Sequence, residues 1–466
     1  GVDNTAVGAY SGDAITTGAD NTFIGDNAGG AVTTASGHTA VGSSALLTMS
    51  TGTKGTAVGF EALKVTTANN NTAVGYQAGV AVSTGASNTL VGSSAGVVLS
   101  TGASNTFVGN SAGAAATTSS GNTIVGANAG DAITDGADNV AVGKSALSAL
   151  TTGEACVAIG KDALAINLGS SNVAVGQASL DACTTGTTLV AVGRNALGAV
   201  TTSAGHVAVG HGAVSTITTG TATTGVGFEA LKVATGDNNS AFGYGALIAN
   251  STASNNTGIG KSALNAVTTG NANCSLGQAT GATLTTGSYN VLIGQSVDVS
   301  ASGSEGQIVI GRNITSGADN SVKFGQGTGT LSIALDGSTT SWTAASDERL
   351  KENIETAAAG LSFINDLRPV TYNFRKAKDV PSDFPFYKEG SDKPCRGHDY
   401  GTVNHGFVAQ EVKAVIDNHP EIQAGFEMWV DDGGVQNIGD GALVPMLVKA
   451  VQELSSRIKK LEEEDE

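Results

Sequence analysis

A glycine recurs at residues 8, 25, 42, 59, 75, 92, 109, 126, 143, 160, 176, 193, 210, 227, 243, 260, 277, 294 and 311. Fifteen of the eighteen intervals are 17 residues and the other three are 16. The unit reads approximately N-T-x-V-G-x-x-A-G/L-x-x-x-T-T-G-x-x. So short a unit cannot bury a face alone, so successive copies must stack as coils, each hydrogen-bonding to its neighbours.

Each column of the repeat carries a physical meaning. The residue before the ruler glycine is apolar in all nineteen copies, from Val7 and Ile24 to Ile293 and Ile310. Two residues earlier stands Thr or Val in most copies, on the same face of a short strand. The residue between them is usually Ala and points to the other face, where space is tight. The ruler glycine itself permits a positive φ or a close backbone approach. Ala recurs three positions further on, and Thr-Thr-Gly or a relative supplies a second turn.

Asn fills the first column in twelve of nineteen copies, with His38 and His206 as substitutes. Two readings stand side by side: a ladder of amides bonding turn backbones in adjacent coils, or rings of Asn and His around a three-fold axis that trap anions or water.

Composition agrees with a thin, regular interior: 66 Gly, 5% aromatics, and a 40% hydrophobic fraction that is mostly Ala and Val. The glycines lack the every-third-residue period of collagen. The expected fold is therefore mainly β, a β-solenoid or β-roll shaft over 1–320, with oligomerisation because one such stack buries little apolar area per residue. Eighteen steps at the inter-strand spacing extend on the order of 90 Å. Residues 321–345 keep β-character without the period and read as a neck.

From Ser346 the composition turns charged and helix-forming. Residues 346–367 read as a helix capped by Ser346 and ended before Pro369. A strand follows at 370–375, then a loop over 379–400. Next come a strand edge leading into a helix stopped by Pro420, and a hairpin at 428–438. A last helix places Leu447, Val451, Leu454, Ile458 and Leu461 as the seam of a short coiled coil, which requires a partner helix.

The shaft resembles, in repeat style only, the β-roll heads of trimeric autotransporter adhesins and the repetitive shafts of phage fibres, although the autotransporter unit is usually shorter. The tail carries a more specific resemblance. Ser-Asp-Glu-Arg-Leu-Lys-Glu-Asn-Ile (346–354), Leu-Arg-Pro-Val-Thr-Tyr (367–372), Gly-Phe-Val-Ala-Gln-Glu-Val (406–412) and Leu-Val-Pro-Met-Leu-Val-Lys-Ala-Val-Gln-Glu-Leu (443–454) stand in family order. They resemble the intramolecular chaperone auto-processing domain that ends phage endosialidases and tail fibres. The match runs through nearly all of 346–466, with 379–400 as its least typical stretch.

That resemblance implies an α+β chaperone domain that forms a homotrimer, guides the shaft into register and cuts itself off in one turnover. The implied scissile bond is Ala345–Ser346, with Ser346 as nucleophile and Lys351 as general base. A serine hydroxyl needs a base, and a desolvated lysine can serve. Residues five apart do not share a helix face; a frayed helix start or a lysine from a neighbouring chain would close that gap. Asp347, Glu348 and Arg349 read first as helix-start electrostatics and trimer salt bridges, with supporting catalytic roles as the alternative.

The expected setting is a virion tail fibre or spike assembled in the host cytoplasm. Its expected partners are other virion tail or capsid proteins and a host surface glycan or protein. The runner-up is a cell-surface trimeric adhesin, and the third reading a glycan-depolymerising spike.

Net charge is −17, with no basic stripe to collect phosphates, so nucleic-acid binding is not expected. No apolar run reaches membrane-spanning length and no signal-peptide pattern is visible. Residue 1 is Gly rather than Met, which leaves open a start further upstream. Cys156, Cys183, Cys274 and Cys395 form no C-x-x-C pair and read as single buried thiols. Cys395, His398, His405 and His419 match no metal-ligand spacing and read as a solvated loop. No cofactor or metal is expected, and the shaft shows no catalytic site of its own.

Overall fold

Each segment ahead of a ruler glycine forms a short strand, from β1 (Thr5–Val7) to β18 (Val291–Ile293) and β19 (Ile308–Arg312). The computed structural model describes residues 1–49, 51–218, 220–335, 343–344, 348, 351–384, 386–395, 403–422, 428–432 and 435–464. Every strand pairs in parallel with the next at the same column, as Thr5 does with Thr22 and Val157 with Val173. The result is a mainly β fold, a solenoid of about nineteen turns. The shortened coils lose a residue from the Thr-Thr turn, so that Thr56 still faces Thr72 in the sheet.

The ruler glycines owe their spacing to backbone crowding between coils. All have φ between +123° and +152°. A Cβ on Gly176 would lie 2.6 Å from the carbonyl carbon of Gly193 one coil on. No side chain fits there, whatever its chemistry.

The residue two before the glycine is buried in coils 2 to 19, as Ala40, Phe107 and Leu292 illustrate. Its partner lies four after the glycine. Where the strand residue is large (Phe23, Leu90, Phe107, Ile124), that position in the same coil is Gly29, Gly96, Gly113 or Gly130. Where the strand residue is Ala or Gly, the position is usually Leu, as in the pairs Ala40 with Leu46, Ala141 with Leu147 and Gly258 with Leu264. The core thus stays filled by exchanging bulk between two columns, within a coil in most cases and between adjacent coils at Gly79, where Leu63 and Leu90 fill the space. The leucines accept a left-handed backbone to do so, with φ of 51° at Leu46 and 55° at Leu147.

The first-column asparagines form a ladder inside one chain. Asn105 donates its Nδ2 hydrogens to Asn88 Oδ1 at 3.1 Å and to the Ser119 carbonyl at 2.8 Å. Its Oδ1 accepts the backbone N–H of Asn122 at 3.0 Å. His38 copies this arrangement: Nδ1 accepts from Gly55 N–H at 3.0 Å and Nε2 donates to the Gly52 carbonyl at 3.0 Å. These side chains are buried within the coil, so the amides serve the turns and do not ring an axis.

The thiols need a correction. Cys156 and Cys183 are buried, and burial pushes Cys183 up to about 11, but Cys274 is exposed and Cys395 half-buried. Cys274 begins a strand in the outward-facing column that in most other coils holds Thr or Val.

After β19 the period breaks. β20 (Ser321–Gln326) pairs in parallel with β19, β21 (Gly329–Ala334) turns back antiparallel, and β22 (Thr343–Ala344) pairs antiparallel with β21. The chain divides into two compact units, Gly1–Ala345 and Ser346–Glu466.

The second unit contains α1 (Leu361–Asp366), β23 (Val370–Tyr372), β24 (Asn404–Gly406), α2 (Ala409–Asp417), β25 (Trp429–Asp432), β26 (Val435–Ile438) and α3 (Leu443–Glu464). Two antiparallel pairs, β23–β24 and β25–β26, accompany a core that includes Ala359, Phe363, Val412, Ile416, Met428 and Leu443. Pro445 sits in the first turn of α3, where its missing N–H has no intrahelical partner to lose. The helix expected over 346–367 is corrected: among the described residues of that range, the α-helix covers only 361–366. Residues 351–358 are all exposed and Asn353 has φ 54°, so no buried face stabilises a helix there within one chain.

Candidate functional site

The residues expected to carry chemistry cluster where the second unit begins. Ala345, Ser346, Asp347 and Arg349 lie outside the described residues. Glu348 and Lys351 are exposed, and the Lys351 N–H donates to the Glu348 carbonyl at 3.0 Å.

This exposed stretch is anchored at its far end by α3. The N–H of Leu361, first residue of α1, donates to Glu453 Oε2 at 3.0 Å. Gly360 offers α1 no side-chain cap, so the α3 carboxylate supplies one, where the helix dipole favours negative charge. Lys449, one turn earlier on α3, lies 3.8 Å from the same carboxylate.

α1 is held to the remainder of the unit by two polar contacts. The Arg368 guanidinium makes a forked contact with Glu411 in the first turn of α2, with Nε at 2.9 Å from Oε2. That pairing holds the Glu411 carboxyl below its ordinary value. His419 is 8% exposed, packs edge-on against Phe363 at 5.3 Å, and bridges Glu421 at 2.8 Å and Asp366 at 2.9 Å. The hydrogen bonds from Glu421 and then Asp366 raise its pKa, so the imidazole favours its charged form.

His419 is therefore not part of a solvated loop. Its sequence neighbourhood, His419-Pro420-Glu421, shows one of its partners, but Asp366 is 53 residues away and carries no local signal. His405 is in β24 and lines an open cleft of about 560 Å³ together with Tyr372, Phe374 and Gln436.

α3 carries the second functional feature. Leu447, Val451, Leu454, Ile458 and Leu461 are 45%, 63%, 44%, 55% and 61% exposed. This is a continuous apolar seam along a 22-residue helix. The solenoid likewise leaves its apolar outer column partly uncovered, with Val7, Phe242 and Leu276 among its exposed members. Among the described residues no helix is long and apolar enough to cross a membrane.

Residues 346–419 match the family described as chaperone of endosialidase. No curated protein and no solved structure matches the chain.

Proposed function

We propose that this chain is a subunit of a trimeric virion fibre, and that residues 346–466 are an intramolecular chaperone which assembles it and then leaves. The observation that carries the reading is a coincidence of boundaries. The family match begins at Ser346, and Ser346 is also the first residue of the second compact unit.

The seam of α3 provides the means of assembly. Three copies of the helix bury Leu447, Val451, Leu454, Ile458 and Leu461 against one another. Solenoid coils resemble each other closely, so two chains meeting along their outer columns can pair one coil out of step at small cost. Joining the C-termini first sets the register and raises the effective concentration of the chains.

Release follows at Ala345–Ser346. Ser346 Oγ attacks the carbonyl carbon of Ala345 while the Lys351 amine accepts the hydroxyl proton. The acyl group passes from the Ser346 nitrogen to its oxygen, and that nitrogen takes a proton to become the free amine. Water then hydrolyses the ester, leaving Ala345 with a carboxylate and Ser346 with its hydroxyl. Loss of the nucleating unit makes the assembly kinetically locked. Glu348 and the charges beside it order this segment in the trimer. The shaft meets other tail proteins and the host surface.

Denatured intact mass tests the reading on wild type, Ser346→Ala and Lys351→Ala chains. Two fragments divided at Ala345–Ser346 in the wild type, absent from both variants, are expected. An uncut wild-type chain that still trimerises removes the Ser–Lys assignment and leaves the unit as a permanent cap.

A further inference from the structure

The residue just after each ruler glycine falls in one column with its counterpart in the next coil, and from Lys144 to Arg312 this column is filled in a distinctive way. Eleven consecutive coils place only cations, amides and aromatics there, and all are exposed. Residues 143–312 contain six lysines and arginines, and five of them, Lys144, Lys161, Arg194, Lys261 and Arg312, stand in this one column. The expectation of no basic stripe is thereby corrected: in a chain of net charge −17 these cations lie far apart in sequence and fall into line only when the coils stack.

The middle of the column is a stacked aromatic ladder. His211 and Phe228 lie 5.2 Å apart at 11°, Phe228 and Tyr244 5.2 Å apart at 6°, and Lys261 Nζ sits 5.9 Å from the Tyr244 ring. Phe228 and Tyr244 are 41% and 55% exposed. Cations thus extend on both sides of a short aromatic stack, whose ring faces cover one another and whose edges are open to solvent, at a regular step of about 4.8 Å per coil.

We infer that the column from Lys144 to Arg312 binds a linear acidic polysaccharide laid along the coil stack. The exposed ring edges offer apolar contact to sugar C–H groups, and the regularly stepped cations and glutamines suit carboxylates and hydroxyls repeating along a polymer. A second copy of the chain is the poorer occupant. Residues 143–312 hold seven carboxylates, and they occupy several different columns rather than one complementary row. Two of them already face lysines, Asp162 at 3.4 Å from Lys161 and Glu229 at 2.8 Å from Lys232. The inference rests on the fibre reading only in taking the shaft to be the surface that meets a host glycan.

Electrophoresis of the purified full chain through gels containing polygalacturonate, neutral dextran or polyphosphate tests it. Wild type should be retarded by polygalacturonate, not by dextran, and less by polyphosphate. Phe228→Ser/Tyr244→Ser should weaken polygalacturonate binding about tenfold while leaving polyphosphate unchanged. Lys161→Gln/Arg194→Gln/Lys261→Gln should weaken both and flatten the salt dependence. Tyr244→Phe, which keeps the ring, should bind as wild type does, and unchanged circular dichroism melting checks that each variant is folded. No retardation of the wild type by polygalacturonate, or full binding by the folded aromatic double variant, overturns the inference. Neither readout depends on whether Ala345–Ser346 is cut, so failure here leaves the chaperone reading standing, and the reverse.

Discussion

Gly113 lies against the ring of Phe107: a Cβ at Gly113 would come within 2.5 Å of Phe107 Cε2 and 2.7 Å of Cδ2. The two residues belong to columns that trade volume in most coils of the solenoid. Gly113→Leu alone should destabilise by about 3 kcal/mol through overpacking. Adding Phe107→Ala, which recreates the Ala141 with Leu147 arrangement, should recover part of that loss. Thermal melting of the single and double variants checks it; equal melting temperatures would show that the columns are independent.

Position within the coil decides which glycines matter. Gly176→Ala drives a methyl group into the Gly193 backbone at a φ of +136°, and should cost at least about 3 kcal/mol or prevent folding. Gly205 is the control. It has φ +75° and nothing within 4 Å of its Cβ direction, and equivalent positions hold Asp138 and Asn238. Gly205→Asn should melt within a degree or two of wild type, well inside the ordinary surface range of about 0.5 kcal/mol.

The buried histidines make the solenoid acid-sensitive. Desolvation holds His38 and His206 below the ordinary value of 6.5, although bonds to turn backbones oppose it. An unfolded histidine takes up its proton near 6.5, the buried one only at lower pH. The stability linked to the neutral imidazoles is therefore complete above 6.5 and is lost as pH falls through the buried values. His38→Asn/His206→Asn, which restores the amide ladder, should show a smaller drop in melting temperature between pH 7 and pH 5 than wild type. An identical drop would exclude these residues as its source.

His419 should behave with the opposite sign in the second unit. Its folded pKa is raised, so its contribution is complete below 6.5 and fades as pH rises through the folded value. His419→Gln should remove that dependence, read as a smaller loss of stability of the 346–466 unit on going from pH 6 to pH 8 in the full chain. An unchanged pH profile in this variant would rule out the Asp366–His419–Glu421 bridge as the titrating element.

The helix seam predicts an oligomer that charge can dissolve. Ile458→Asp places a carboxylate in the middle of the apolar stripe and should convert a trimer into monomers by sedimentation or light scattering. The exposed Lys459→Asp beside it should leave assembly intact. A monomeric wild type, or a trimeric Ile458→Asp, would mean that α3 is not the assembling surface.

The ladder of Thr-Ala-Val strands, the inward turn of the middle residue and the helix of 443–464 were all legible from periodicity, because each is set by residues close in sequence. So was the change of character at Ser346. What periodicity could not show is anything decided by contacts one coil away or further. The volume trade between Phe107 and Gly113 exists only once coils are stacked, and stacking also decided between the two readings of the asparagine column in favour of the ladder, by bonding Asn105 to Asn88 and Ser119. The same limit explains the shortened α1: residues 351–358 have helix-forming composition, but no surface of their own chain covers them. It also explains His419, whose partner Asp366 reaches it only through the packing of Phe363, on α1, against the imidazole. Local sequence determined the coil and its period; tertiary stacking decided which residue fills each coil, because volume and hydrogen-bond partners are shared between neighbours and belong to no single repeat.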